Sequence, residues 1–276
     1  MVAAAGVIYV VTIVLYSLSV LGYFIDFMQN NRKVNRIAFW LLSIVWVLQT
    51  IFFFIRALEY DRLPVITPFE GLFFYAWLLI TLSLVINRFF RMDFLVFFTN
   101  IVGFVMMAFS LFTPDGDVPA ELNDLLISEL LVVHITLILL SYAAFTMAFA
   151  FAAMYTLQHQ LLKRKQWGKK LLRLENLPKM ERLSFFMTLF GVPCMLLGLI
   201  LGLVWASIQL QELPWLDAKV LGSAAVLIVY SIYLYLWAVR QRRGYNMTLL
   251  NLAGFLLVLI NYFLSGELTD FHFWYF

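Results

Sequence analysis

Leu131-Val132-Val133-His134-Ile135-Thr136-Leu137-Ile138-Leu139-Leu140-Ser141-Tyr142-Ala143-Ala144-Phe145 belongs to an apolar run at 130–157 in which His134 is the one acidic or basic side chain. About 20 apolar residues cross a bilayer core as a helix, so this run is long enough to span. Seven further runs, at 4–28, 37–55, 69–86, 94–112, 185–208, 220–239 and 247–264, are comparable. Lipid offers no partner for backbone N–H and C=O groups, which makes helices the expected state. The expected fold is all-α: a polytopic membrane protein with eight transmembrane helices. Composition agrees, with 64% hydrophobic and 13% charged residues and a mean hydropathy of +0.92, against about a quarter charged in soluble domains. The spans use up most of the 276 residues, so a single transmembrane domain over 1–276 is expected. The first run lacks the basic flank of a secretory signal and is expected to remain as a span.

Orientation follows from the loops. The first (Arg32, Lys33, Arg36), third (Arg88, Arg91), fifth (from Lys163 to Arg182) and seventh (Arg240, Arg242, Arg243) are basic, whereas 113–129 holds five carboxylates and no Lys or Arg. The positive-inside rule makes the odd loops cytoplasmic and both termini external. The basic loop at 158–184 reads either as a helix on an anionic leaflet or, preferably, as a solvated topogenic loop. A net charge of +3 reflects this loop bias and points to no nucleic-acid partner.

Soluble-enzyme chemistry has no foothold in the sequence. There is no phosphate-binding glycine loop, zinc spacing or nucleophile elbow, no catalytic constellation is found, and the lone Cys194 reads as a buried apolar residue. Ionisable residues inside spans are costly and are read as functional. His134 sits about 7 Å along its helix from Glu129 and is either a ligand or a buried, hydrogen-bonded histidine. His272 lies in the aromatic tail at 266–276, among Phe271, Phe273, Trp274, Tyr275 and Phe276. Topology puts both imidazoles at the external face, where two axial ligands of one porphyrin belong; the tail reads equally as an interfacial belt. Glu70 is expected to cap its helix rather than pair with Arg56 or Arg62. Asp26 is expected to meet the first loop, Gln49 and Asn261 to hydrogen-bond between helices, and Gly191, Gly198 and Gly202 to mark close helix contact.

The segment from Leu131 to Phe145 resembles the external-histidine helix of the cytochrome c assembly family that includes CcsA. So do Leu177-Pro178-Lys179-Met180-Glu181-Arg182-Leu183-Ser184, Gly191-Val192-Pro193, Leu201-Gly202-Leu203-Val204-Trp205-Ala206 and Pro68-Phe69-Glu70-Gly71-Leu72. The likeness covers about 65–276. It implies non-covalent heme b with His134 and His272 as axial iron ligands, and brings Trp215 and Asp217 to the cofactor from a reduced tryptophan motif, Pro214-Trp215-Leu216-Asp217-Ala218-Lys219-Val220. Tyr235 stands where that family carries a membrane-embedded histidine, so phenolate ligation there is the counterpart. The missing tryptophans and this substitution favour the short regulatory members of the family. These imply control of glutamyl-tRNA reductase abundance, with that enzyme or its protease system as cytoplasmic partner. The alternative is a heme-delivering subunit of a cytochrome c synthase. A small-solute transporter is disfavoured, since the spans show few charges and no inverted repeat.

Overall fold

The computed structural model describes residues 2–90, 92–113, 129–165, 173–209 and 215–267. The helices are α1 (Val2–Gln29), α2 (Arg32–Tyr60), α3 (Pro68–Phe90), α4 (Asp93–Phe109, continued by a 3-10 turn at Ser110–Phe112), α5 (Glu129–Lys163), α6 (Leu177–Gln209), α7 (Ala218–Ala238) and α8 (Tyr245–Glu267). Eight helices among the described residues are long and apolar enough to cross a membrane. The chain is a multi-pass, all-helical membrane protein.

Most helices outrun the apolar runs that announced them. α5 continues through Lys163 and α6 begins at Leu177, so much of 158–184, expected as loop, is helical. Hydropathy marks where lipid ends; Gln, Leu, Lys, Met and Glu remain good helix formers beyond that boundary. The α1–α2 connection is correspondingly tight. Asn30 takes a left-handed conformation (φ 56°), which Asn tolerates at helix ends, and the Asn31 side chain caps α2 by accepting from the Lys33 and Val34 amides.

The chain forms two compact units. The first is built from α1–α4, the last turns of α5 and the segment leading to α6; the second from the rest of α5 with α6, α7 and α8. In the first, α1 is polar inside and apolar outside. Tyr9, Thr12, Tyr16, Ser19, Tyr23 and Asp26 are its buried residues, while Val10, Val14, Leu18, Leu21 and Phe24 are exposed. Their alternating three- and four-residue spacing makes one inward stripe. The Tyr9 hydroxyl donates to the Met107 carbonyl (3.1 Å) and also bonds the Ser110 hydroxyl. Tyr16 donates to Asn100 Oδ1 at 2.8 Å, and Asn100 in turn donates to Ser83. The Ser19 hydroxyl donates to the Ala38 carbonyl on α2. Trp46 and Trp77 indoles donate reciprocally across α2 and α3, to Thr81 and Thr50. Gln49 donates to Met107 Sδ, the interhelical bond expected of it.

Asp26 closes the stripe. It accepts from Asn35 Nδ2, at the start of α2, as the sequence suggested. Its charge partner is Arg173, far along the chain, which donates to both carboxylate oxygens at 2.8 Å, to Asp93 at 2.7 Å and to Asn30 at 2.8 Å. The Arg173 guanidinium also lies 4.9 Å over the Phe94 ring. Glu70 corrects an expectation: it lies in the first turn of α3, yet it forms a two-point ion pair with Arg62 (2.9 and 3.1 Å). With both side chains nearly sequestered, at 8% and 5% exposure, the carboxylate needs a full countercharge and a cap alone does not suffice.

In the second unit α5 is the central helix. Phe145 stacks on Tyr230 of α7 at 4.0 Å between centroids, and Phe149 on Phe255 of α8 at 4.3 Å. Asn261 of α8 donates to the Tyr142 hydroxyl (3.0 Å) and to Ser223 of α7 (3.1 Å), joining three helices as a buried amide should. α6 lies antiparallel to α5 in a fixed register: Gly191 faces Phe145, Gly198 faces Ile138 and Gly202 faces His134.

The Arg173 cluster sets a stability test. Asp26 is 1% exposed and Asp93 36%. Asp26→Asn therefore leaves a nearly buried guanidinium short of its main countercharge and should cost about 3 kcal/mol. Asp93→Asn should cost about 1 kcal/mol or less. Denaturant unfolding in detergent micelles measures both, and equal losses would contradict this division.

Candidate functional site

His134 lies in the second turn of α5, half-buried. Just before it on the helix, Leu131 packs with Trp205 and Ala206 of α6 in a small core, flanked by Leu130 and Ile135. The imidazole reaches across to α6, where Nδ1 lies 2.6 Å from the Gly198 carbonyl oxygen. A carbonyl oxygen only accepts, so Nδ1 carries a proton, and in the neutral ring the lone pair is on Nε2. Helix geometry already gives that carbonyl the Gly202 amide as its in-helix partner; the imidazole uses its second lone pair. Gly202 is also what admits the ring. A Cβ there would stand 2.6 Å from Cε1, 2.7 Å from Nδ1 and 3.2 Å from Nε2, so the Nδ1–Cε1–Nε2 edge fills the space a side chain would occupy.

A neutral imidazole whose Nδ1–H is donated to a carbonyl is the usual state of a histidine that ligates metal through Nε2. In donor chemistry this residue fits an axial iron ligand. His272, its expected counterpart, lies outside the described residues, as does the rest of the tail beyond Glu267. Trp215 is exposed, in the turn before α7. The described role of Asp217 is to cap α7: its Oδ1 accepts from the amides of Lys219 (2.9 Å) and Val220 (3.4 Å). Tyr235 is exposed on the last turn of α7, where its carbonyl accepts from Val239. Asp217 and Tyr235 stand at opposite ends of that helix, about 27 Å apart, and do not line one site.

The roles of three residues beside His134 escaped sequence reasoning. The spacing of Gly198 and Gly202 signalled close helix contact and nothing more, yet one supplies a carbonyl and the other a vacancy to the same histidine. Trp205 follows Gly202 by three residues and so shares its helix face. That spacing, read together with the intramembrane histidine, is the signal that was available.

Eight apolar helices, one of them carrying near its start a histidine hydrogen-bonded to the neighbouring helix, make this a polytopic helical membrane protein. The cytochrome c assembly protein family matches residues 65–272, and the chain belongs to that family. Among individual relatives, it is 51% identical over 261 residues to Protein HemX of Bacillus subtilis (strain 168), covering 95% of each chain. It is 47% identical over 268 residues to Protein HemX of Brevibacillus brevis, covering 97% of this chain and 98% of that one. A more distant similarity, 24% over 231 residues and 75% of each chain, is to Cytochrome c biogenesis protein CcsA of Mesostigma viride. With its eight apolar helices, it is a multi-pass protein of a bacterial cell membrane.

The capping role of Asp217 and the cofactor role implied by resemblance can be separated. Asp217→Ala should cost about 1 kcal/mol through loss of the cap, and Asp217→Ser should restore most of it. If Asp217→Ser retains stability in a denaturant titration but changes a hemin-bound spectrum, the carboxylate serves the cofactor as well.

Proposed function

We propose that this chain is a heme-binding regulator of the HemX kind, holding non-covalent heme b at the external face of the membrane. His134 and His272 are its axial ligands, and the chain tunes tetrapyrrole synthesis through the abundance of glutamyl-tRNA reductase. The observation that supports the heme reading is the Nδ1–H donation from His134 to the Gly198 carbonyl, which in a neutral ring puts the lone pair on Nε2, the nitrogen that would ligate iron. The orientation that places both histidines outside rests on the positive-inside distribution of Lys and Arg. Bound heme would supply a redox-active, flat apolar group for the aromatic tail and Trp215 to cover. Lys163, Arg164 and Lys165, all exposed, are available on the cytoplasmic side to an acidic surface of the reductase or of its protease. The regulatory half of the reading leans on the HemX relatives and on the missing tryptophans.

Hemin titration of detergent-purified protein tests the heme half. A saturable Soret band of a six-coordinate, low-spin iron is expected, and His134→Ala, His272→Ala and removal of 272–276 should each abolish that spectrum while leaving the helical content intact. A wild-type protein with no such band, or a band indifferent to both substitutions, would sink the assignment. Gene deletion tests the other half: an altered glutamyl-tRNA reductase level with normal covalent cytochromes c supports regulation. Loss of covalent cytochromes c instead favours a heme-delivering synthase subunit.

A further inference from the structure

We propose that Gly202 and the Gly198 carbonyl of α6 form a socket that fixes His134 in one tautomer and one ring orientation before any ligand arrives. Both are then positioning residues for the ligating imidazole. The proposal rests on the heme reading in so far as it concerns iron, but the socket itself is a property of the protein alone.

The geometry restrains the ring in two independent ways. The 2.6 Å contact to the Gly198 carbonyl selects the Nδ1–H tautomer, since the other tautomer would set two lone pairs against each other. The surface of Gly202 selects the ring plane, because the imidazole edge lies where a Cβ would be. The α5–α6 register that sets both restraints has two further close contacts along the same interface, Phe145 against Gly191 and Ile138 against Gly198. Leu131, Trp205 and Ala206 form a buried apolar core between the same two helices, and in such surroundings a hydrogen bond is stronger than in water. A hydrogen bond donated by Nδ1 makes Nε2 a better electron donor and stabilises ferric iron over ferrous. The socket thus lowers the midpoint potential of an attached heme as well as strengthening its binding.

A plain packing role for the glycines predicts something different. Gly191 makes an equally tight approach, with a Cβ only 2.6 Å from Phe145 Cε1, and touches no histidine in doing so. Gly191→Ala is therefore the control for Gly202→Ala.

The first measurement needs no heme. In protein labelled with 15N-histidine, the chain's three histidines are resolved and His134 is assigned by its loss in His134→Ala. At mildly alkaline pH, wild-type His134 should show a protonated Nδ1 and an unprotonated Nε2. A dominant Nε2–H tautomer, or an average of both, overturns the proposal. The second measurement is hemin affinity and midpoint potential. Gly202→Ala should bind about 10- to 100-fold more weakly and at a higher potential, with Gly191→Ala near wild type in both. Equal effects from the two alanines reduce the glycines to packing and overturn the positioning role. If Gly202→Ala fails to fold, as judged by size exclusion, the wild-type tautomer decides alone. A wild-type protein with the fixed tautomer but no hemin binding removes the heme reading and keeps the socket; hemin binding without the fixed tautomer removes the socket and keeps the reading.

Discussion

Everything in this protein answers to one constraint: inside a bilayer no water is available to satisfy a polar group. Helices settle the backbone, and side chains must find their partners on neighbouring helices. On the inward stripe of α1, Tyr9, Tyr16 and Ser19 obey this rule against α2 and α4, and Thr12 bonds the Ile8 carbonyl of its own helix. The Tyr23 hydroxyl is the exception, buried with no hydrogen-bond partner among the described residues. Its polar atoms face the protein and its aliphatic ones face lipid, the reverse of a soluble helix. Each such hydrogen bond contributes only about 0.6 kcal/mol in a membrane, so their common effect is to select register. The Arg173–Asp26 pair differs in kind, because breaking a nearly buried ion pair strands a charge.

The second recurring device is a glycine facing a large side chain of another helix. Gly103 admits the Tyr16 hydroxyl, Gly191 admits Phe145, Gly222 admits Asn261, and Gly254 lies against Tyr230. His134 on Gly202 is one more member of this set. His134, the ligand in the proposed function, is thus seated by the same rule that seats structural tyrosines and phenylalanines. What distinguishes it is chemical: it is the one in which a ring nitrogen meets a backbone carbonyl across the interface.

Much of this was legible in the chain. Eight spans follow from hydropathy because the membrane imposes a single length scale, and a close helix contact along α6 follows from Gly191, Gly198 and Gly202, although which helix makes it does not. The helix ends were not legible, since Lys163 and Leu177 lie where hydropathy has already fallen but helix propensity has not. The partner of Asp26 was half legible. Asn35 is local, but Arg173 is reached only through tertiary folding, and no spacing rule connects positions so far apart. Glu70 shows a different failure: its place after Pro68 correctly marks a helix start, and the degree of burial, which decides between cap and ion pair, is not a property of the local sequence. The polar stripe of α1 is carried by the three- and four-residue period of Tyr9, Thr12, Tyr16, Ser19, Tyr23 and Asp26, which hydropathy alone hides in a helix dominated by Val, Leu and Tyr.

α5 contains neither glycine nor proline between Glu129 and Lys163. It carries His134 on its second turn and exposed lysine at its far end, on a helix about 52 Å long that exceeds the roughly 30 Å hydrocarbon core. α6, by contrast, holds Pro193 and three contact glycines. α5 therefore has no built-in hinge. An imidazole near one end and a basic cluster at the other are thus carried on a single span that neither glycine nor proline interrupts.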